Sequence, residues 1–354
     1  MNITDMNIAD GQVMLSQFHE SLFDIERIPF AALALIATMI VGAVTGPFMA
    51  RAVPLMWVAQ DLIFGRIGAR LDRTRRKQAD LMFRGFLFMV FVLALMLIGI
   101  KGAGALQSAV PYIGAWYVEV LALCGLLSCG ALWSAALALF KTLDQKEKPS
   151  KGAYFTLSRT TLRDLNSTDD FGLTRLSLAT IVRQLDKGAV SPVLWYVIGG
   201  LPLALITSTL SFMAWRFGKD GFGKGFGVIM LALDKLVGFV PTLLSGVLLS
   251  VASLVTPKGN IIRAIQGWSE GKRKAAYEEG GQPVTILAFA LNISIGGPVR
   301  DLYGSSLQNS WAGPEKASAK TTPDHLRRGL YMVVVAHIYL LAMLGGAYIW
   351  GQIL

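Results

Sequence analysis

Hydrophobic residues are gathered into six long runs that are separated by polar and charged segments. The runs lie near 31–50, 83–100, 113–140, 192–217, 226–255 and 329–352. A run of 18 or more residues with few charges is long enough to cross the hydrocarbon layer as a helix. Helix is the expected form because lipid offers no partners to backbone polar groups. The pattern therefore predicts an all-α, polytopic helical membrane protein with about six spans.

Two shorter apolar patterns predict helices that do not cross the bilayer. Within the loop near 51–82, apolar residues recur at helical spacing, namely Leu55, Val58, Leu62, Ile63 and Ile67. This spacing predicts an amphipathic helix in the membrane interface. The stretch Val284–Ile295 has about twelve residues, which is too short to span and favours a re-entrant or interfacial segment.

Most of the charge lies in three long loops, in each of which Lys and Arg outnumber Asp and Glu. The loops lie near 51–82, 141–190 and 256–328. The other connections, 101–112 and 218–224, are short, and residues 1–29 form an acidic tail. The positive-inside rule therefore places the three loops in the cytoplasm and both termini outside. We expect a single integral membrane domain, 30–354, in the inner membrane of a bacterium.

Composition narrows the function classes. Hydrophobic side chains make up 53% of the 354 residues and charged ones 16%, against about 25% charged in a typical soluble domain. No zinc finger or aromatic platform accompanies the net charge of +10, so we expect the lipid bilayer, and not nucleic acid, as a partner. The sequence has no phosphate loop, no HExxH and no glycine-rich dinucleotide fingerprint. Cys124 and Cys129 lie in an apolar run, where we expect them to pack as small hydrophobic residues.

Asp234 and Lys235 are ionisable residues inside a predicted span. Such a residue costs about 2.5–3.5 kcal/mol at the centre of a span, so it normally faces protein or a water-filled cavity. Asp234 is therefore a candidate site residue. Two alternatives are a structural ion pair between Asp234 and Lys235, and a span that begins only after Lys235.

The second long loop holds candidates for binding phosphate and metal. Four arginines are spaced along it: Arg159, Arg163, Arg175 and Arg183. Guanidinium groups bind phosphate oxygens through paired hydrogen bonds, so these residues could clamp a phosphate. Asp169 and Asp170 could hold a metal ion, although two adjacent Asp residues most often cap a helix.

Glycines mark several breaks in the apolar runs, among them Gly46, Gly227, Gly296 and Gly297. A glycine allows the backbone to approach a ligand closely. In a membrane protein it also allows two helices to pack closely. The sequence leaves both interpretations open.

The same segments, in order, resemble motifs of the CobD/CbiB family of cobalamin-biosynthesis membrane proteins. Phe226–Pro241 resembles the family's FGxxxxRLDDxLNWIP without gaps, and Lys187–Pro202 resembles its DGVVAPLFWxxxGGxP. Gly281–Pro298 resembles GWPxAAMAGALxVxLGG, and Tyr303 follows where the family often has a YxG. Ser158–Thr161 resembles GRDT, and Thr45–Pro47 with Val53–Pro54 resembles GDP followed by HP. The likeness extends from about residue 36 to about residue 345.

The resemblance implies a reaction and a set of site residues. The family joins aminopropanol or its phosphate to a propionate of adenosylcobyric acid, and ATP with Mg²⁺ drives the formation of this amide bond. For this chain it implies ATP, Mg²⁺ and a corrinoid substrate at the cytoplasmic face. It implies catalytic roles for Asp234, Arg159 and Thr161. Substrate contacts are expected from Arg163, Gly46, Gly227, Gly296, Gly297 and Tyr303, and metal contacts from Asp169 and Asp170.

Polar motif positions nevertheless depart from the family pattern. The Asp of GDP is Thr45 here, and the His of HP is Val53. The family's ENTxDG motif contains an acid, an amide and a second acid, and at these three positions this chain has Arg183, Gln184 and Lys187. The second acid of the LDD motif is Lys235 here. Mg²⁺ is usually held by one or two carboxylates plus phosphates, so the lost acids include expected metal ligands.

From the resemblance we expect the family function, carried out by a divergent but active ligase. The alternative is an inactive relative that acts as an accessory, sensory or assembly subunit. AmpE-like membrane proteins, which resemble the family with altered polar motifs, are a precedent for this alternative. The second hypothesis implies other membrane subunits, or a homo-oligomer, as partners. A transporter is a weaker third possibility, because the sequence shows no paired, interrupted repeats.

Overall fold

The computed structural model describes residues 24–72, 76–109, 115–144, 151–165, 168–219, 221–223, 225–300, 306–308 and 310–353. Tyr303 lies outside these residues. Helices dominate the described part of the chain, and strands β1 (Pro298–Arg300) and β2 (Ser306–Gln308) form a short antiparallel pair. The helices are α1 (Arg27–Thr45), α2 (Leu55–Gln60), α3 (Arg66–Leu71), α4 (Gln78–Ala109), α5 (Ala115–Leu126), α6 (Cys129–Asp144), α7 (Lys151–Thr161), α8 (Asp170–Leu185), α9 (Ser191–Phe217), α10 (Val228–Val237), α11 (Phe239–Ala252), α12 (Ile261–Ser269), α13 (Gly281–Leu291) and α14 (Pro323–Ile353).

Five helical segments of the described chain are long and apolar enough to cross a membrane. They are Arg27–Thr45, Gln78–Gly102, Trp116–Asp144, Asp170–Phe217 and Pro323–Ile353. The pair α10 and α11, which is bent by 61° at Gly238, is either a sixth, broken span or a re-entrant segment. This confirms the prediction of a polytopic helical membrane protein with about six spans.

Helix α9 turns back on itself at Gly199 and Gly200. Gly200 has φ 67° and ψ −168°, a conformation that residues with a side chain rarely adopt. Lys187 and Ser211 both contact Asp234, although a straight helix would separate them by about 36 Å. The run from α8 to the end of α9 is therefore a helical hairpin, and its tip lies beside Arg27 at the start of α1.

The hairpin changes the predicted position of the connection near 218–224. Lys219 lines the same cleft as Arg163, and Gly221 lies against Glu278. The prediction that this connection lies opposite the long loops is therefore wrong. A turn made by two glycines inside an apolar run carries no polar signal, so hydropathy alone describes the hairpin as one span. The two described ends of the chain do lie together, because Gly351 packs against Ile25.

The two shorter apolar patterns have different outcomes. Residues 55–71 are helical, with a π-helical turn at Asp61–Gly65 between α2 and α3. They bury Trp57 and Val58 and expose Leu55, Leu62, Ile63 and Ile67, as expected of an amphipathic interfacial helix. Helix α13 is instead a core helix, since every residue in it except Gln282 is buried by protein. Apolar runs of this length are commonly core helices.

Three irregular stretches meet at the loop end of the hairpin. A π-helical turn, Asp186–Val190, joins α8 to α9, and π-helical turns are frequent at functional sites. The second stretch is the bend at Gly238 between α10 and α11. The third is a 3₁₀ turn, Tyr277–Glu279, which immediately precedes α13. Together they bring charged side chains into the interior.

Candidate functional site

Four polar side chains meet where these three stretches converge: Asp186, Lys187, Asp234 and Tyr277. We call this group the polar centre. Asp186, Lys187 and Asp234 are 2%, 5% and 4% exposed, so the charges lie well inside the protein. Charges buried this deeply require partners, because removing them from water costs several kcal/mol per ion.

Asp234 has three partners from three elements. It accepts hydrogen bonds from Ser211 Oγ at 2.5 Å and from Tyr277 OH at 2.7 Å. The Lys187 ammonium lies 3.5 Å from Asp234 Oδ2 and donates to Tyr277 OH at 2.8 Å. Burial raises the pKa of Tyr277, and the charge of Asp234 raises it further, so the phenol keeps the proton that it donates.

The Asp186 carboxylate is also hydrogen-bonded to hydroxyl groups, and these belong to α11, the second helix of the bent pair. Its carboxylate accepts hydrogen bonds from Thr242 Oγ1 at 2.8 Å and from Ser245 Oγ at 3.1 Å. The Lys187 ammonium lies 3.8 Å from Asp186 Oδ2. Lys187 therefore lies beside both buried carboxylates and offsets one of their two negative charges.

Gly238 makes room for the Lys187 ammonium. A Cβ atom built at Gly238 would collide with Lys187 Nζ and would lie 3.2 Å from Tyr277 OH. The family motifs have an Asn where this chain has Gly238 and an acid where it has Lys187. These two departures are far apart in sequence but adjacent in space, and the missing Cβ of Gly238 leaves the volume that the Lys187 ammonium occupies.

A small cleft adjoins the polar centre, and we call it the arginine cleft. Its charged lining residues are Arg163, Arg183, Lys219, Glu278 and Glu279, and its volume is about 40 Å³. Arg163 forms an ion pair with Glu279 through Nη2, while its Nη1 is buried and has no hydrogen-bond partner among the described residues. Burial raises the pKa of Glu279, and Arg163 opposes that rise. Two short segments connect the cleft to the polar centre. Arg183–Lys187 supplies Arg183 to the cleft and Lys187 to the polar centre, and Tyr277–Glu279 supplies Tyr277 to the polar centre and both glutamates to the cleft.

Three predicted site residues come together here and others do not. Asp234 lies in the polar centre, and Arg163 and Thr161 line the arginine cleft, where the Thr161 hydroxyl donates to the Leu157 carbonyl at 2.8 Å. Arg159 is outside the cleft lining, and its guanidinium lies 5.2 Å from the ring centre of Phe155. The prediction for Tyr303 falls outside the described residues.

The four predicted glycines lie outside the polar centre and differ in their surroundings. Gly46 ends α1 with φ 72° and borders an apolar cavity of about 480 Å³ between α1 and the α5–α6 junction. Gly227 packs against the Phe217 carbonyl, and Gly296 and Gly297 have positive φ and pack against Ser310 and Trp311. Close packing therefore describes Gly227, Gly296 and Gly297, whereas Gly46 borders a cavity, and none of the four lies in the polar centre or lines the arginine cleft.

The predicted metal ligands Asp169 and Asp170 lie at the beginning of α8, whereas the polar centre lies at the end of that helix. Asp169 caps α8, where it accepts from Gly172 N at 2.8 Å, and Asp170 is exposed in the first turn. The described residues contain no group of three or more His, Cys, Asp or Glu placed to hold a metal ion. The Mg²⁺ implied by the resemblance does not fit the polar centre either, because Lys187 already lies beside both carboxylates.

Sequence reasoning missed the roles of Asp186, Lys187, Ser211, Tyr277 and Glu279. The available signal was the position of these residues in the motifs. Lys187 stands where the family's ENTxDG motif has its second acid, and Tyr277 to Glu279 stand where the family has Ser-Pro-Asn before its GWP motif. Residue type alone did not show that a lysine could be buried between two acids. Asp234 and Lys235 are not an ion pair, because Lys235 is exposed and lies over the ring of Phe222.

The fold and the site together define a class: a polytopic helical membrane protein with a buried, internally paired charged centre at its loop end. A family model described as CobD/Cbib protein matches residues 32–333, and the chain therefore belongs to the CobD/CbiB family.

Curated relatives agree with this family. Cobalamin biosynthesis protein CobD of Klebsiella pneumoniae is 26% identical over 244 residues, which are 68% of this chain and 73% of the relative. CobD of Photorhabdus laumondii is 25% identical over 286 residues, 80% of this chain and 86% of the relative. Cobalamin biosynthesis protein CbiB of Salmonella typhimurium is 23% identical over 239 residues, 66% of this chain and 72% of the relative. No solved structure matches the chain.

Proposed function

We propose that this protein serves cobalamin biosynthesis as a non-catalytic membrane component, an accessory or assembly subunit that keeps the family fold. Family membership and the names of the relatives support the pathway. The state of the polar centre supports the lack of ligase activity. Such a subunit acts by binding, either to other membrane proteins or to a second copy of itself.

The position of Lys187 is the observation that carries this proposal. Activation of an acyl group by ATP needs Mg²⁺, which is usually held by one or two carboxylates plus phosphates. Here the Asp186 and Asp234 carboxylates are occupied by hydroxyl donors and by the Lys187 ammonium. A divalent cation entering between them would meet a like charge at close range, which disfavours binding strongly in a low-dielectric interior.

Complementation tests the proposal in cells. A bacterial strain that lacks its own family enzyme receives this chain and is supplied with cobyric acid under conditions that require cobalamin for growth. CobD of Klebsiella pneumoniae, expressed from the same plasmid, is the positive control. We expect no growth with this chain, with an immunoblot showing that it reaches the membrane. Growth equal to that of the control would contradict the proposal.

An active ligase is the second candidate, and the position of Asp186 favours it. Asp186 stands where the family motif has no fixed acid, yet it brings a second carboxylate to the same ammonium as Asp234. On this hypothesis, displacement of Lys187 exposes a pair of carboxylates. Purified protein would then form the amide with ATP and Mg²⁺, and Asp234→Asn would abolish the reaction. Absence of product from the folded wild-type protein rejects this candidate.

A further inference from the structure

The apolar cavity beside α1, which we call the lateral cavity, is too large to be a packing defect. Its volume is about 480 Å³, and it lies between α1, residues 46–55 and the α5–α6 junction. Ala37, Val41 and Thr45 line it at a spacing of four residues, so one face of α1 forms its wall. Protein interiors contain few voids larger than a water molecule, whereas ligand pockets have volumes of about 300–1,000 Å³. The cavity therefore has the size of a ligand site.

The rim of the lateral cavity faces the hydrocarbon of the membrane. Val41 and Leu121 lie on membrane-spanning segments and are 57% and 71% exposed, and Phe48 continues the rim beyond the end of α1. The lining positions on α1 extend from Ala37 to Gly46, which is about 14 Å along a helix and roughly half of the hydrocarbon layer. The cavity is therefore open to lipid and has about the depth of one leaflet.

A cationic group lies at the loop end of the lateral cavity. Arg51 lines the cavity, and its Nη1 donates to Asp61 Oδ2 at 2.6 Å. Arg216 Nε donates to the other oxygen of the same carboxylate at 2.7 Å, so two arginines share one acid and one positive charge is in excess. Arg51 Nε is buried and has no hydrogen-bond partner among the described residues. Leaving a buried charged donor unsatisfied is costly, so a missing acceptor is the physical expectation.

We propose that the lateral cavity binds one anionic phospholipid, with an acyl chain along α1 and the headgroup phosphate at Arg51. A cavity of about 150 Å³ holds one benzene molecule, so three times that volume holds about eighteen carbon atoms, the size of one acyl chain. A helix of a partner protein, with a diameter of about 10 Å, is too wide to enter. No residue of the polar centre lines the cavity, so the site does not depend on the role of the protein in cobalamin biosynthesis.

The charges around Arg51 favour an anionic headgroup over a zwitterionic one. Basic pockets between membrane-spanning helices bind the headgroups of anionic lipids. Phosphatidylcholine carries a cation next to its phosphate, and the described lining contains no Asp or Glu to pair with that cation. Phosphatidylglycerol brings the phosphate without the cation. We therefore expect the site to prefer phosphatidylglycerol.

Native mass spectrometry of the purified full-length protein tests the site. The delipidated protein in mild detergent is mixed with equal amounts of phosphatidylglycerol and phosphatidylcholine, and the lipids that remain bound are identified by mass. We expect one phosphatidylglycerol per protein, in severalfold excess over phosphatidylcholine. Arg51→Gln should reduce this preference about fivefold, as loss of one lipid-binding cation predicts. Asp61 keeps Arg216 as its partner in this variant. Arg327→Gln, which removes an arginine whose side chain is 65% exposed, should leave the preference unchanged.

A pair of volume variants tests the acyl-chain part of the site. Ala37→Phe fills the cavity and should abolish binding of both lipids, whereas Ala43→Phe, at an exposed position of α1 outside the lining, should retain it. Equal binding of the two lipids by the wild-type protein would overturn the proposal, as would unchanged phosphatidylglycerol binding in both Arg51→Gln and Ala37→Phe. A lipid-free dimer that Ala37→Phe dissociates would assign the cavity to a second copy. Bound inorganic phosphate in place of lipid would assign Arg51 to a soluble anion, and either result would also overturn the proposal.

Discussion

Asp186 and Asp234 share the ammonium group of Lys187, and this arrangement explains how three charges are tolerated in the interior. Each carboxylate also accepts hydrogen bonds from hydroxyl groups, so its oxygens have polar partners in addition to the shared ammonium. A buried pair of this kind adds little net stability compared with apolar residues, but removal of one partner is strongly destabilising. Lys187 is therefore an internal counter-ion on which the local structure depends.

Lys187→Met should destabilise the protein markedly. The substitution keeps most of the side-chain volume but leaves two buried carboxylates without their cation. The expected loss is about 3–5 kcal/mol in the free energy of unfolding, and it appears as a lower Tm in detergent. Lys235→Met is the matched control, because Lys235 is an exposed lysine next to Asp234. Equal Tm values for the two variants would contradict the counter-ion role.

Gly238→Ala should disturb the same group by steric means. The backbone at Gly238 has φ −76° and ψ 0°, which alanine also adopts, so the substitution is opposed by contacts of the new Cβ atom with Lys187 Nζ, with the Asp234 carbonyl oxygen and with Tyr277 OH. We expect a lower Tm than for wild type. Gly345→Ala in α14 is the control, because a Cβ there meets nothing within 4 Å and alanine favours a helix by about 1 kcal/mol. A Gly238→Ala protein as stable as the Gly345→Ala protein would show that Lys187 does not need this space.

The helices could be predicted from hydropathy, but their path could not be predicted completely. Apolar runs predict where helices form because their length and composition are local properties of the chain. The fold-back at Gly199 and Gly200 depends instead on contacts of Lys187 and Ser211 with Asp234, which are remote in sequence. Likewise, the burial of α13 depends on the helices around it, and its own sequence fits an interfacial segment equally well.

Cysteine labelling tests the fold-back. In a background with Cys124 and Cys129 replaced by Ala, single cysteines are placed at Phe222, Lys272 and Glu26, which are all exposed. The hairpin predicts that Phe222→Cys and Lys272→Cys react with a membrane-impermeant maleimide from one side of the membrane, and that Glu26→Cys reacts from the other. Labelling of Phe222→Cys from the same side as Glu26→Cys would mean that residues 192–217 cross as a single span.

The molecule as a whole is a helical membrane protein of the CobD/CbiB family, and its candidate site lies in the segments that resemble the family motifs. The resemblance located the site because glycine, proline and apolar positions, which determine helix packing, are retained in the motif segments. It did not reveal the state of the site, because the pairing of Lys187 with Gly238 and Tyr277 emerges only when the three irregular stretches are brought together. Asp234 was predictable as a buried acid in an apolar run, whereas the Arg163–Glu279 pair joins two loops and was not.

Binding of Mn²⁺, a spectroscopic substitute for Mg²⁺, tests the central claim most directly. Electron paramagnetic resonance of the purified protein in nanodiscs reports how much added Mn²⁺ is bound. If Lys187 takes the place of a divalent cation, the wild-type protein should bind no Mn²⁺ at the polar centre. Lys187→Asp, which replaces the cation by a third carboxylate, should gain one bound Mn²⁺ and should be stabilised by it. Stoichiometric Mn²⁺ binding by the wild-type protein that is lost in Asp234→Asn would contradict the claim.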